Sequence, residues 1–174
     1  MKIVKQERVK KMLAFEEYVK ENKEEFINKV IKISRELGID PNWLMFVMWF
    51  ESRLNPKAIN QTSMAAGMIQ FLPSTAKALG TTTWVLLSMN NVQQLDYVLA
   101  YLRPHKGRMK TWVDVYLAVF YPAAIGKPDY VITKDIVAKQ NKIFDLNKDL
   151  DISVKEIEAV LRKRIPTKYK HLFN

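Results

Sequence analysis

Cysteine is absent from the 174-residue chain, and histidine occurs only at His105 and His171. The lack of cysteine excludes a disulfide framework and a cysteine nucleophile, although it leaves the compartment open. The two histidines stand far apart and do not have the spacing of metal ligands, so no zinc site is expected.

Long apolar runs are also lacking. The longest covers residues 43–50, which is far too short to cross a bilayer, so we expect no membrane span. The first twenty residues carry charge but no apolar segment of the kind that forms a secretory signal.

Charge is unbalanced, with 28 Lys and Arg against 18 Asp and Glu, a formal net charge of +10. A basic surface attracts anionic partners, among which nucleic acid and an anionic cell wall are both candidates. The small basic clusters at 1–11 and 162–170 do not alternate with aromatic residues, and no helix-turn-helix or RNP-like pattern occurs. We therefore do not predict a specific nucleic-acid ligand, because only the net charge would support one.

The length suits one domain, and 48% of the residues are apolar, which is enough for a sizeable core. Apolar residues recur at helical spacing, and no alternating strand run of useful length occurs. We predict a compact all-α fold with a single domain over 1–174. The predicted helices cover 5–20, a stretch from about 21–25 to 37, then 41–53, 70–79, 92–102, 111–120, 134–144 and 153–164.

Glu51 ends the most apolar of these helices. Pro41 follows Asp40 where a capped helix favours a proline, and residues 43–50 are all apolar, as in a buried helix. Apolar neighbours one and two turns back would disfavour the charged carboxylate and raise its pKa. Such a group can serve as a general acid. The alternative is a Glu51 that faces solvent or pairs with a lysine.

Four short motifs follow one another around Glu51. They are Glu51-Ser52, Asn55-Pro56, a Gly-x-x-Gln at 67–70 and a Pro-x-Thr-Ala at 73–76. In order and spacing, residues 36–80 resemble the catalytic core of the soluble lytic transglycosylases, which share the goose-type lysozyme fold. The resemblance implies a lysozyme-like helical domain that acts on the glycan strands of peptidoglycan, with no cofactor needed for catalysis.

The resemblance also implies a mechanism in which Glu51 protonates the oxygen of the β-1,4 bond between MurNAc and GlcNAc. It then acts as base for the sugar's own 6-hydroxyl, which gives a 1,6-anhydro product. Most glycosidases use two carboxylates. Asp96, Asp114 and Asp129 are the candidates for a second one, but no motif connects them with Glu51, which favours a transglycosylase over a muramidase-type hydrolase.

Further site residues are carried over from the same resemblance. Gln70 matches a glutamine in the substrate cleft, with a helix cap or a surface position as the alternative. Asn60 stands where the family has a serine, and Ser63 in the longer loop is the substitute for that role. Met68 would line the cleft or the core, and we expect the core.

The third family motif, Ala-Tyr-Asn-Ala-Gly, has its nearest match at 119–124. It supplies Tyr121, whose hydroxyl would lie near Glu51 or the substrate, whereas Pro122 replaces the asparagine and Ala124 the glycine. The alternative for Tyr121 is an aromatic residue packed at a helix end.

A calcium loop is predicted at 145–156, within a helix-loop-helix at 134–164. Its EF-hand-like ligands are Asp145, Asn147, Asp149, Asp151 through its carbonyl, and Glu156, and the ion would be structural. Leu150 occupies the position at which such loops have glycine, so it must adopt a positive φ at a cost. The alternative is a plain turn in which Ser153 caps the second helix and Glu156 completes a capping box.

A non-catalytic wall-binding or phage structural module is the second interpretation of the chain, suggested by the altered third motif. We expect a monomer that reaches the wall without a signal peptide, either by carriage in a virion or by release on lysis.

Overall fold

The computed structural model describes residues 12–174. Within this range the chain forms eight α-helices and one small antiparallel sheet. The helices are α1 (Lys23–Leu37), α2 (Pro41–Ser52), α3 (Pro73–Ala78), α4 (Thr83–Ser88), α5 (Asn91–Leu102), α6 (Trp112–Phe120), α7 (Asp135–Gln140) and α8 (Val154–Arg164). Short 3-10 helices cover Glu16–Tyr18, Arg103–His105, Pro122–Ala124 and Thr167–Leu172. The predicted all-α class is confirmed, since the sheet pairs only β1 (Val131–Ile132) with β2 (Ile152–Ser153).

Helix α2 runs through the centre of the core. The Asp40 carboxylate accepts from the backbone N–H of Asn42 at 2.7 Å, which satisfies a free donor of the first turn, and Pro41 occupies the first helical position as predicted. The five residues 44–48 have no solvent-accessible surface. Helices α1 and α6 pack against α2, so the apolar run is covered on several sides.

Helix α1 follows its predicted pattern. Phe26, Val30, Ile33 and Leu37 form a buried stripe, and Gly38 ends the helix with a φ of 72°, the left-handed conformation usual for this position. Helix α5 packs on α1.

The predicted helix at 5–20 is wrong over the part that the structure describes, and residues 1–11 lie outside the described residues. Residues 12–20 contain only the 3-10 turn Glu16–Tyr18. Phe15 has a φ of 64° and is fully buried, while the backbone N–H of Ala14 donates to the Asn42 side chain at 2.8 Å. Tertiary contacts to α2 thus replace the local hydrogen bonds of a helix.

Two predicted helix boundaries move by several residues, and one helix is added. The helix predicted at 70–79 begins only at Pro73, because Gln70 has a φ of 55°. Residues 81–90, over which no helix is predicted, contain α4, which Thr82 caps. The helix predicted at 134–144 ends at Gln140, and the turn that follows places Phe144 in the core.

None of the helices described between residues 12 and 174 combines the length and the apolar character required to cross a membrane.

Candidate active site

The last turn of α2 carries Glu51 to the edge of the core. Glu51 is half-buried, and its neighbour Ser52 ties this turn to the loop that follows. The Ser52 hydroxyl lies 3.0 Å from the Met48 carbonyl oxygen within the helix and 2.9 Å from the Met68 carbonyl oxygen across the loop. The end of α2 therefore cannot move independently of the loop around Met68.

Burial of its carboxyl raises the pKa of Glu51 from 4.5 to about 7, and a hydrogen bond with Tyr116 acts in the opposite direction. Withdrawal from water destabilises the charged form more than the hydrogen bond stabilises it. The direction agrees with the prediction from the apolar neighbours. Near neutral pH, Glu51 is thus poised to give up a proton and to take one back.

Tyr116 of α6 is the hydrogen-bonding partner. Its ring lies 5.4 Å from that of Phe50, 5.8 Å from that of Phe120 and 5.9 Å from that of Phe144, measured between centroids. Burial and the neighbouring Glu51 raise the pKa of Tyr116 well above its ordinary value. The phenol therefore keeps its proton and donates it to the carboxylate in a hydrogen bond whenever Glu51 is ionised.

The loop between α2 and α3, which we call the site loop (residues 55–71), is held by short backbone bridges. Ala66 pairs with both Ile59 and Phe71. Gln70 supports the same turn through its side-chain amide nitrogen, which donates to the Gly67 carbonyl at 3.0 Å and to the Ala58 carbonyl at 3.4 Å.

Asn60 and Ser63 lie exposed at the tip of the site loop. The Asn60 side-chain oxygen accepts from the backbone N–H groups of Thr62 and Ser63, at 2.9 and 3.0 Å, and the Ser63 hydroxyl accepts from that of Ala65. Both residues thus shape the turn. Met68, in contrast, is fully buried, in keeping with the expected core position.

Tyr121 lies just beyond the end of α6 and is half-buried. Its ring centroid is 6.1 Å from that of Tyr130, and the Lys134 ammonium lies 5.9 Å from the Tyr121 ring. The structure therefore brings Tyr116, rather than Tyr121, into the hydrogen bond with Glu51.

The sequence around this site matches a known protein family. The sequence model of the transglycosylase SLT domain matches residues 28–125, more than half of the chain. The chain belongs to the transglycosylase SLT domain family. It is an enzyme of the peptidoglycan lytic transglycosylase type with a lysozyme-like helical fold, as predicted. No curated protein matches the chain significantly.

The matched SLT segment ends at residue 125, before the predicted calcium loop. In that loop the first predicted ligand bonds to the backbone of the same turn. The Asp145 carboxylate accepts from the backbone N–H groups of Asp149 and Leu150, each at 3.2 Å, and Leu150 has the positive φ that the glycine position demands, 70°. Ser153 and Glu156 form the complete capping box of the alternative interpretation.

The other predicted ligands bond within the same loop. The Asn147 side-chain oxygen accepts from Asp149 N–H at 3.1 Å, and the Asp149 carboxylate accepts from Asp151 N–H at 2.9 Å. Between residues 12 and 174, no group of three or more His, Asp or Glu side chains is arranged to hold a metal ion. These carboxylates are instead satisfied by backbone donors, and calcium binding stays a prediction.

Sequence reasoning did not single out Tyr116 in the SLT domain. It lies inside α6 (Trp112–Phe120), whose residues are apolar apart from Asp114, so an aromatic residue there is most simply interpreted as core. What distinguishes Tyr116 from the other aromatic residues of α6 is the hydrogen bond of its hydroxyl with Glu51, and that bond depends on how α6 packs on α2.

Proposed function

We propose that Glu51 is the single general acid and base of lytic cleavage, acting on the β-1,4 bond between MurNAc and GlcNAc in peptidoglycan. The observation that carries this proposal is the burial of Glu51 beside Tyr116, which raises the pKa of the carboxyl to about 7. A carboxyl with this pKa is substantially protonated at neutral pH, whereas one with an ordinary value of 4.5 is almost fully ionised.

In the first step, the protonated Glu51 gives its proton to the glycosidic oxygen. The bond from that oxygen to C1 of MurNAc breaks, and the bonding electron pair leaves with the GlcNAc hydroxyl. In the second step, the Glu51 carboxylate takes the proton of the MurNAc 6-hydroxyl, whose oxygen forms a bond to C1. The product is a 1,6-anhydro sugar, Glu51 is protonated again, and no water is consumed.

Tyr116 supports both steps through one hydrogen bond. Between the steps Glu51 is an anion in a partly buried position, and the Tyr116 hydroxyl is the donor that stabilises it. A hydrogen bond to a charged group contributes about 1.5–3 kcal/mol. The aromatic side chains around Tyr116 fix its ring, so the hydroxyl stays directed at the carboxyl.

The other carboxylates considered for a hydrolytic mechanism have partners elsewhere. Asp96 pairs with Lys29 at 2.9 Å and Asp129 pairs with Lys155 at 2.6 Å. Asp114 is buried and accepts from backbone N–H groups at the start and beyond the end of α6. This supports a reaction with one carboxylate, because a hydrolase of the common type needs a second carboxylate across the scissile bond.

We further propose that Gln70 and Tyr121 contact the sugars, since both are half-buried and therefore partly accessible. Asn60 and Ser63 lie exposed at the tip of the site loop, where their remaining lone pairs can accept hydrogen bonds from sugar hydroxyls. Met68 acts only through the core, because it has no accessible surface.

Mass spectrometry of the products formed from purified glycan strands tests the proposal. We expect new ends to be 1,6-anhydro sugars, and a muramidase digest of the same strands supplies the reducing-end control. Reducing ends from this enzyme would establish the hydrolase alternative instead. Binding to the strands with no new ends of either kind would favour the non-catalytic module.

A further inference from the structure

Gln94 of α5 is a buried amide whose hydrogen bonds join three separate segments. It has no solvent-accessible surface. Its side-chain oxygen accepts from the backbone N–H of Met68 at 3.0 Å, and its nitrogen donates to the carbonyls of Pro56 at 2.6 Å and Leu86 at 2.8 Å. Both N–H donors and the carbonyl of the amide are thus engaged.

These contacts lie near the two ends of the site loop. Pro56 is close to its start and Met68 close to its end, so one side chain holds both ends at a fixed separation. The Met68 peptide is gripped from both sides, because its N–H donates to Gln94 while its carbonyl lies 2.9 Å from the Ser52 hydroxyl. The Met68 peptide group therefore links Gln94 to Ser52, the residue that follows Glu51.

Gly67 shows how closely the loop packs on this amide. A Cβ at Gly67 would lie 2.6 Å from the Gln94 side-chain oxygen, and the φ of 80° already disfavours other residues. The Gln94 oxygen cannot retreat without giving up the Met68 N–H. The glycine of the Gly-x-x-Gln motif thus accommodates Gln94.

We propose that Gln94 is a positioning residue for catalysis, which holds the site loop against the end of α2 and thereby keeps water away from Glu51. This inference rests on the proposed role of Glu51. Loss of the Gln94 hydrogen bonds would leave the Met68 N–H and the Pro56 and Leu86 carbonyls without partners, and such groups recruit water or move. Water at the loop would reduce the burial on which the raised pKa of Glu51 depends.

The test compares Gln94→Leu with Asn42→Leu. Asn42 is also a buried amide, but its contact with Ala14 lies at the opposite end of α2 from Glu51. For both variants we would measure the melting temperature, kcat and KM on glycan strands, and the pH at which kcat falls on the alkaline side. We expect kcat of Gln94→Leu to fall about tenfold or more, with the alkaline fall moved to lower pH. Asn42→Leu should lower the melting temperature and leave the pH profile in place.

Gln94→Glu keeps the shape of the side chain and serves if Gln94→Leu does not fold. When protonated, the introduced carboxyl can still accept from Met68 and donate to one carbonyl, whereas the ionised carboxylate would face two carbonyl oxygens without a donor. Activity of this variant should approach that of the wild type at acidic pH and fall at a lower pH than the wild type does. A wild-type kcat and pH profile in Gln94→Leu, or a wild-type profile in Gln94→Glu, would overturn the proposal. Failure of the Glu51 mechanism itself would show separately, as an active Glu51→Gln variant.

Discussion

The Tyr116 hydroxyl is hydrogen-bonded to the Glu51 carboxyl, so that α6 and α2 meet at the proposed catalytic acid. Two opposing effects act on the pKa of Glu51: burial raises it and the Tyr116 hydrogen bond lowers it. Phe144, in the turn before the predicted calcium loop (145–156), packs on Tyr116 with 5.9 Å between ring centroids. The segment after the matched domain therefore contributes to the surroundings of the proposed catalytic acid.

Replacing Tyr116 by Phe removes the hydrogen bond and leaves the ring. Because this bond lowers the pKa of Glu51, we expect the alkaline fall of the activity to move to higher pH. The Glu51 anion also loses its donor, so kcat should drop about tenfold. The pH dependence of kcat is the measurement.

Tyr121→Phe is the matched control, since Tyr121 packs on Tyr130 instead. In the Tyr121→Phe variant, the activity should fall on the alkaline side at the same pH as in the wild type. If this alkaline fall moved in Tyr121→Phe but not in Tyr116→Phe, the result would contradict the assignment of Tyr116 as the hydrogen-bonding partner of Glu51.

Stability should also depend on the protonation of Glu51. A carboxyl whose pKa is raised in the folded state, from 4.5 to about 7, binds its proton more tightly there than in the unfolded chain. Its contribution to the free energy of unfolding is therefore lost as the pH rises from about 4.5 to about 7. The loss amounts to roughly 3 kcal/mol at 1.36 kcal/mol per pKa unit.

Denaturant titrations of the wild type and of Glu51→Gln at several pH values measure this effect, because the variant keeps every other titrating group. The wild type should lose stability relative to Glu51→Gln as the pH rises through this window. A constant difference between the two would show that the pKa of Glu51 is ordinary.

The sequence predicted much of the fold, because its signals were local. Asp40 and Pro41 marked the start of α2, and Gly38 marked the end of α1. The stretch 12–20 was misjudged because its apolar spacing suits a helix, whereas tertiary contacts decide it. The Ala14 N–H donates to Asn42, a residue 28 positions further along the chain.

The site was predictable where a motif marks it and unpredictable where packing assembles it. Glu51 and the Gly-x-x-Gln turn stand out in the sequence. Tyr116 and Gln94 do not, because each belongs to a helix whose pattern says only which residues are buried. Tyr116 has its role because its hydroxyl bonds to a carboxyl group, and Gln94 because its amide bonds to backbone groups. Both sets of contacts depend on how α2, α5 and α6 pack together.

Calcium binding to 145–156 is expected to raise the melting temperature, since an ion that binds only the folded chain stabilises it by mass action. Thermal melts in millimolar calcium and in chelator measure the effect. Asp145→Asn is the control, because it keeps an acceptor for the Leu150 N–H while it removes a ligand charge. Identical wild-type melts under both conditions would leave the capping box of Ser153 and Glu156 as the only function of the loop.

Activity is expected to fall as salt rises at constant pH. The net charge is +10, and a cavity of about 700 Å³ beside the end of α2 is bordered by Lys20, Arg53 and Lys57 against the single carboxylate Glu21. Salt screens attraction between such a surface and an anionic wall. Rates on intact walls at increasing NaCl measure the effect, and short glycan oligomers, which carry far less charge than the wall, provide the control. A flat response on walls would show that the charge is incidental.

The most direct test of the account is the formation of new glycan ends by Glu51→Gln, a nearly isosteric change that removes the proton donor. General acid–base catalysis contributes roughly 10²–10⁴-fold. We therefore expect the variant to release anhydro-ended products at least about 100-fold more slowly than the wild type. Circular dichroism of the two proteins should agree. Equal rates of bond cleavage by folded wild type and folded Glu51→Gln would contradict the central claim.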